Sequence, residues 1–173
     1  GVLDRFGQTQ PKVLIACDGY FYNGKTFSNL GKLAELVPQL PSVVTTLVVP
    51  YVAQAGTSSL DVSAIPGAQT WEAALSAFQP RPVQFAPQPF DHPVYILYSS
   101  GTTGAPKCIV HRAGGVLLKH LAELRLQVDI HPEDRVFFFT TCGWMMWNWL
   151  MSALSQGATL CLYDGSPGLH DNA

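Results

Sequence analysis

Two apolar runs with a helical pattern between them constrain this chain more than any other feature. Lys12–Cys17 (KVLIAC) is bounded by Pro11 and by Asp18-Gly19, and Val43–Val49 (VVTTLVV) is halted by Pro50. Short β-branched and aliphatic runs closed by turn formers read as buried strands. Between them Leu30, Leu33, Ala34 and Val37 follow i, i+3, i+4, i+7, with Ser28 or Asn29 as cap and Pro38 and Pro41 bounding the end. Strand, helix, strand in that order predicts a right-handed crossover and a parallel sheet. Such sheets bind ligands beyond the carboxyl ends of their strands. The expected fold class is therefore α/β, a mainly parallel sheet flanked by helices.

Local signals fill in the remainder. Tyr20-Phe21-Tyr22 runs into Asn23-Gly24, a type I′ hairpin signal, with Lys25-Thr26-Phe27 returning. Gly1–Gln10 shows no clear periodicity, and 51–67 reads as loop. Thr70 caps a short helix with Trp71, Ala74, Leu75 and Phe78 on one face. Prolines at 80, 82, 87, 89 and 93 keep 79–93 out of regular structure. That stretch is a hinge or a plain connector, and its direct lead into the next strand favours the connector. Val94–Leu97 then reads as a buried strand and Cys108–Val110 as a second short apolar run. Ala113–Val128 reads as a helix burying Leu117, Leu118, Leu121, Leu124 and Val128, with Gly114 and Gly115 allowing close packing. Strands are expected at Val136–Phe139 and Ala158–Tyr163, and a turn at Asp164–Gly168. A helix through Met145–Ser155 is apolar on nearly every side, so it is core or lines a pocket.

Bulk properties exclude several function classes. The 173 residues suffice for one core, and 47% hydrophobic with 13% charged residues suits a folded chain. A net charge of −2 without a basic block leaves no electrostatic footprint for nucleic acid. Cys17, Cys108, Cys142 and Cys161 are far apart and lie in or beside apolar runs, which predicts buried thiols in a reducing compartment. The five histidines are equally scattered, so no metal site is expected. No signal peptide opens the chain and no apolar run reaches about 18 residues, which makes a cytoplasmic protein the expectation and a membrane partner not.

The chemistry concentrates in Tyr98-Ser99-Ser100-Gly101-Thr102-Thr103-Gly104-Ala105-Pro106-Lys107. From residue types alone this is either a surface turn with an incidental lysine or an anion-binding loop. Glycines let consecutive N–H groups converge, hydroxyls add donors, and the ammonium supplies a full charge for phosphate oxygens. It is not a Walker A loop, because no Gly-Lys-[Ser/Thr] closes a Gly-x-x-x-x-Gly spacing.

The order of these residues resembles the phosphate-binding signature of the adenylate-forming superfamily, [Ser/Thr]-[Ser/Thr]-Gly-[Ser/Thr]-[Ser/Thr]-Gly-x-Pro-Lys-Gly, with Cys108 in place of the final glycine. A second run, Thr141-Cys142-Gly143-Trp144-Met145-Met146-Trp147-Asn148, is similar to the Gly-Trp segment of acetoacetyl-CoA synthetases, as are Tyr22–Lys25 and Leu162–Pro167. The resemblance implies part of the large N-terminal domain of an AMP-forming acid–CoA ligase over 1–173. Its βαβ portion would be 11–78, its connector 79–93, and its phosphate-loop and acyl-pocket portion 94–168. It further implies that Ser99, Ser100, Gly101, Thr102, Thr103, Gly104 and Lys107 hold ATP phosphates, with Mg²⁺. Trp144, Met145 and Met146 would border the acyl group, and Asn148 would be a contact for a ketone. Acetoacetate, ATP and coenzyme A are the implied substrates.

The superfamily's aromatic-Gly-x-Thr-Glu and Thr-Gly-Asp motifs and its lysine-bearing C-terminal domain do not occur in these 173 residues. The chain alone is therefore expected not to turn over, and the rest of the synthetase is an implied partner. The alternatives are a segment of another short-chain (acetyl or propionyl) synthetase, or a non-catalytic nucleotide- or phosphate-binding domain.

Overall fold

A computed structural model describes residues 1–53, 60–99 and 104–166. They form two compact units, Gly1–Gln84 with the residues from Asp164 onward, and Phe85–Tyr163. The division falls inside the proline-rich stretch.

In the first unit, β1 (Val13–Cys17) and β4 (Thr45–Val49) pair in parallel, Val13 opposite Thr45 and Cys17 opposite Val49. A third parallel strand, β5 (Ala68–Thr70), lies against β4, giving the order β1-β4-β5. Helix α2 (Leu30–Leu36) supplies the crossover, and Leu33 and Val37 pack with Leu14, Val48 and Ile65 in a buried cluster. Each such side chain contributes roughly 1.5–3 kcal/mol by leaving water. Only one face of β1 is covered: Leu14 is buried while Val13 and Ile15 are about half exposed.

Between β1 and α2 the hairpin forms as expected, β2 (Gly19–Tyr22) antiparallel to β3 (Lys25–Ser28). Asn23 and Gly24 have φ of 49° and 70°, the two positive values a type I′ turn requires. Asn29 occupies the N-cap position of α2 without a side-chain cap bond, its amide donating instead to the Cys17 carbonyl, while the preceding Ser28 accepts from the Leu30 N–H at 3.3 Å. Thr70 caps α3 (Trp71–Ser76) by accepting from the Ala73 N–H at 3.2 Å. One element was not expected: Val2–Thr9 forms α1, ended by Gln10 in the left-handed region at φ 50°, and Phe6 packs on the core.

Asp18 ties this unit together just beyond β1. Its side chain is buried, Oδ1 accepts from the N–H groups of Tyr51 and Val52 at 2.8 and 2.9 Å, and Oδ2 accepts from Ala53 at 2.8 Å. The carboxylate thus closes the turn that follows β4. Tyr51 in addition donates its hydroxyl to Asp164.

In the second unit β6 (Pro93–Ser99) and β7 (Lys107–Arg112) pair antiparallel, not in the parallel sense of the first unit. Helix α4 (Ala113–Leu121) continues as a π-helical stretch, Ala122–Gln127, and α5 (Met145–Ser152) runs into a 3₁₀ turn. Two short parallel strands, β8 (Arg135–Val136) and β9 (Thr159–Leu160), replace the longer ones expected. The core is Leu124, Ile130, Ala153 and Ala158. Gly114 packs closely, but against the Phe90 ring rather than the sheet, a Cβ there lying 2.2 Å from that ring, whereas Gly115 makes no such approach to the described residues.

Several expected burials fail here. Val94, Ile96, Ile109 and Val110 on the hairpin, and Leu117, Leu118 and Val128 on the helix, are exposed. Apolar periodicity specifies a face to be covered, and a two-stranded ribbon with two helices has too few layers to cover both faces. The cysteines are likewise not buried: Cys17, Cys108 and Cys142 are exposed and Cys161 is half-buried. Cys17 falls on the outward face of β1 with Val13 and Ile15, as the period of two demands. No helix among the described residues is long and apolar enough to cross a membrane.

Candidate functional site

The phosphate-loop stretch connects β6 to β7. Ser99 and Lys107 are directly paired across the hairpin, so the two ends of the connection stand side by side. Gly104 has φ 125°, a conformation open to glycine, and among the described residues no atom lies near the position of a Cβ. Ser100, Gly101, Thr102 and Thr103 lie outside the described residues. Lys107 is exposed.

Register and pleat place more residues on that surface. Side chains two apart on a strand share a face, as do directly paired residues. Tyr95, Leu97 and Ser99 therefore share one face of β6 with His111, Ile109 and Lys107 of β7. Against this face lies a cavity of about 610 Å³, bordered by Tyr95, Leu97 and His111 from the hairpin. Gly115, Val116, Lys119 and His120 of α4, with Glu123 after it, close a second side, and Met145, Met146 and Trp149 of α5 a third. Two residues of strand, roughly 7 Å, separate Leu97 in the cavity wall from Ser99 at the loop. A smaller cavity of about 310 Å³ lies beside Phe138, Phe139, Thr141 and Trp144, and Met146 borders both.

The Gly-Trp turn closes with the Trp144 N–H donating to Thr141 at 3.0 Å, and Trp144 stands at the start of α5. Of the expected acyl-pocket residues, Met145 and Met146 line the larger cavity and Trp144 the smaller. Asn148 borders neither, and its carbonyl accepts from the Ser152 hydroxyl. The polar groups of the larger cavity, Tyr95, His111, Lys119, His120, Glu123 and Gln127, were not anticipated. Lys119 Nζ lies 2.6 Å from Glu123 Oε1, and that hydrogen bond, ahead of smaller contributions, lowers the Glu123 pKa. Burial raises the Tyr95 pKa, keeping its hydroxyl a donor, and lowers that of His120. Among the described residues no three His, Cys, Asp or Glu side chains converge to hold a metal ion.

A family model for AMP-binding enzymes matches residues 2–173. The chain belongs to the AMP-binding enzyme family. It is 53% identical over 96% of its length to an acetoacetyl-coenzyme A synthetase of Rhizobium meliloti (strain 1021) and 47% identical to an acetoacetyl-CoA synthetase of Xenopus tropicalis. Over the same share it is 43% identical to a malonamoyl-CoA synthetase of Penicillium aethiopicum. The structure of acetoacetyl-CoA synthetase from Streptomyces lividans superposes on 96% of the chain with a TM-score of 0.84 at 47% identity, confirming the α/β class. The chain spans about a quarter of the length of these relatives, 25% of the first two, 23% of the third and 24% of the solved structure.

Proposed function

We propose that the chain is the phosphate-loop and acyl-wall segment of the large N-terminal domain of an AMP-forming acid–CoA ligase acting on acetoacetate in the cytoplasm. One observation carries this reading: the ends of the phosphate loop and the wall of a largely apolar cavity share one face of one hairpin. In the reaction, a carboxylate oxygen attacks the α-phosphorus of ATP and pyrophosphate leaves. The thiolate of coenzyme A then attacks the acyl carbon and AMP leaves.

Ser99, Ser100, Thr102 and Thr103 supply hydroxyl donors, and Gly101 and Gly104 supply main-chain N–H groups, to the β- and γ-phosphates. Lys107 offsets the charge that builds on departing pyrophosphate, where preorganised donors act most strongly. Trp144, Met145 and Met146 exclude water from the acyl group, while Asn148, which borders neither cavity, has no geometric support as the ketone contact. Thioether side chains fit a small irregular acyl group well. Mg²⁺ is expected to accompany ATP. The apolar faces left uncovered in the second unit fit a segment that packs against the remainder of a synthetase.

The similarity to a malonamoyl-CoA synthetase supports a second reading, in which the acid is malonamate, with an amide in place of the methyl ketone. Acid-dependent ATP–pyrophosphate exchange by the full-length synthetase carrying this segment separates the two. Acetoacetate should drive exchange more efficiently than malonamate, acetate or propionate, and a greater efficiency with any of those three would overturn the assignment. The isolated 173-residue chain should show no exchange.

A further inference from the structure

Two side-chain hydrogen bonds cross from α4 and its continuation to α5. His120 Nδ1 lies 2.7 Å from Ser152 Oγ, and that hydroxyl donates to the Asn148 carbonyl at 3.0 Å. A hydroxyl carries a single proton. With that proton committed to Asn148, Nδ1 must carry its own and donate it to Ser152. Burial, opposed by Glu123 and reinforced by His111 and Lys119, lowers the His120 pKa and favours this neutral ring. One turn further along, the Glu123 carboxylate accepts from Lys119 and from the indole of Trp149.

The gripped residues are not a random choice on α5. Met145, Trp149 and Ser152 stand at i, i+4 and i+7, one stripe of the helix. The first two line the 610 Å³ cavity and the third receives His120. Rotating a helix by about 20° moves a side-chain tip near 5 Å from its axis by roughly 2 Å. Displacements of that size around a reacting group cost on the order of a hundredfold in rate.

We infer that His120 is a positioning residue for the acyl wall: through Ser152 it sets the rotation of α5, and with it where Met145 and Met146 stand in the cavity. The inference rests on the proposed reading that these methionines face the acyl group. Steady-state kinetics of the full-length synthetase carrying this segment test it, with KM measured separately for acetoacetate and for ATP. His120→Ala should raise KM for acetoacetate about tenfold and leave KM for ATP within about twofold. His120→Asn, which keeps a donor near Nδ1, should restore most of the loss. Ser152→Ala, a milder change, should act in the same direction, and the double variant should be no worse than His120→Ala, because the two act as one unit.

If His120→Ala lowers the melting temperature while both KM values and kcat move together, or if the double variant is additive, the inference is overturned. Met146→Trp in the same assay separates the two levels. Should it raise KM for acetoacetate while His120→Ala and Ser152→Ala do not, the inference alone fails. Should it leave that KM unchanged, the acyl-wall reading fails and the inference with it.

Discussion

Replacing Asp18 with alanine removes the acceptor for three main-chain N–H groups at once. The bonds from Tyr51, Val52 and Ala53 measure 2.8, 2.9 and 2.8 Å, and Asp18 is only 4% exposed, so water replaces the lost acceptor incompletely. A hydrogen bond to a charged group contributes about 1.5–3 kcal/mol net, and a buried donor left without a partner costs about 1–3 kcal/mol. The three share one carboxylate and are not independent, so the expected loss is about 3–5 kcal/mol, a large part of a typical 5–15 kcal/mol.

The sign with pH follows from the charge. Burial pushes the Asp18 carboxyl up, but the N–H donors of Val52, Ala53 and Tyr51 outweigh it and hold its pKa below the ordinary value. The contribution is therefore fully present above the unfolded-state pKa of about 3.9 and fades as pH falls through the lower folded value. Urea unfolding of the parent chain and of Asp18→Ala at a series of pH values measures the difference. It should stay constant from pH 7 to about pH 5 and shrink in stronger acid. A difference under about 0.5 kcal/mol at neutral pH, or one undiminished in acid, would refute the reasoning.

Two further substitutions probe packing in the same unit. A Cβ at Gly19 would lie 2.3 Å from the Phe27 carbonyl oxygen and 2.8 Å from Val52 Cγ2, so Gly19→Ala should lower stability by about 2–4 kcal/mol in a urea titration. The Thr46 hydroxyl is fully buried without a hydrogen-bond partner among the described residues, so Thr46→Val should raise stability by about 1 kcal/mol, and a loss would mean the hydroxyl is satisfied.

What could be read from the amino acids alone was what neighbouring residues decide. The apolar runs of β1 and β4, the Asn23-Gly24 turn and the Thr70 cap are each set by residues within a few positions of one another, and all of them form; the parallel pairing of β1 with β4, far apart in the chain, follows from the helix between them. Helix α1 escaped notice because eight residues give barely two turns of pattern, and none of them is fully buried although Phe6 packs on the core. Strand β5 is three residues, Ala68-Gln69-Thr70, with no apolar run to announce it, and only pairing with β4 makes it a strand.

Burial was the poorest guide. The runs at Val94–Leu97 and Leu117–Leu118 are apolar enough for a covered layer, yet among the described residues Val94, Ile96, Leu117 and Leu118 stay exposed. The loop and the Gly-Trp run were legible as local patterns of residue type. His120 and Glu123 were not, because on a helical wheel they pass for a solvated face, and only the approach of α5 turns that face into a cavity wall.

The central claim is that acyl recognition and phosphate holding occupy the same hairpin face yet use different residues. Acid-dependent ATP–pyrophosphate exchange in the full-length synthetase carrying this segment tests it most directly, comparing Met146→Trp with Lys107→Ala. Met146→Trp should raise KM for acetoacetate without moving KM for ATP. Lys107→Ala should lower the maximal exchange rate by about ten- to a thousandfold with KM for acetoacetate unchanged. If Met146→Trp leaves the acid's KM where it was, or if both variants shift the same constants together, the two roles are not divided along this hairpin.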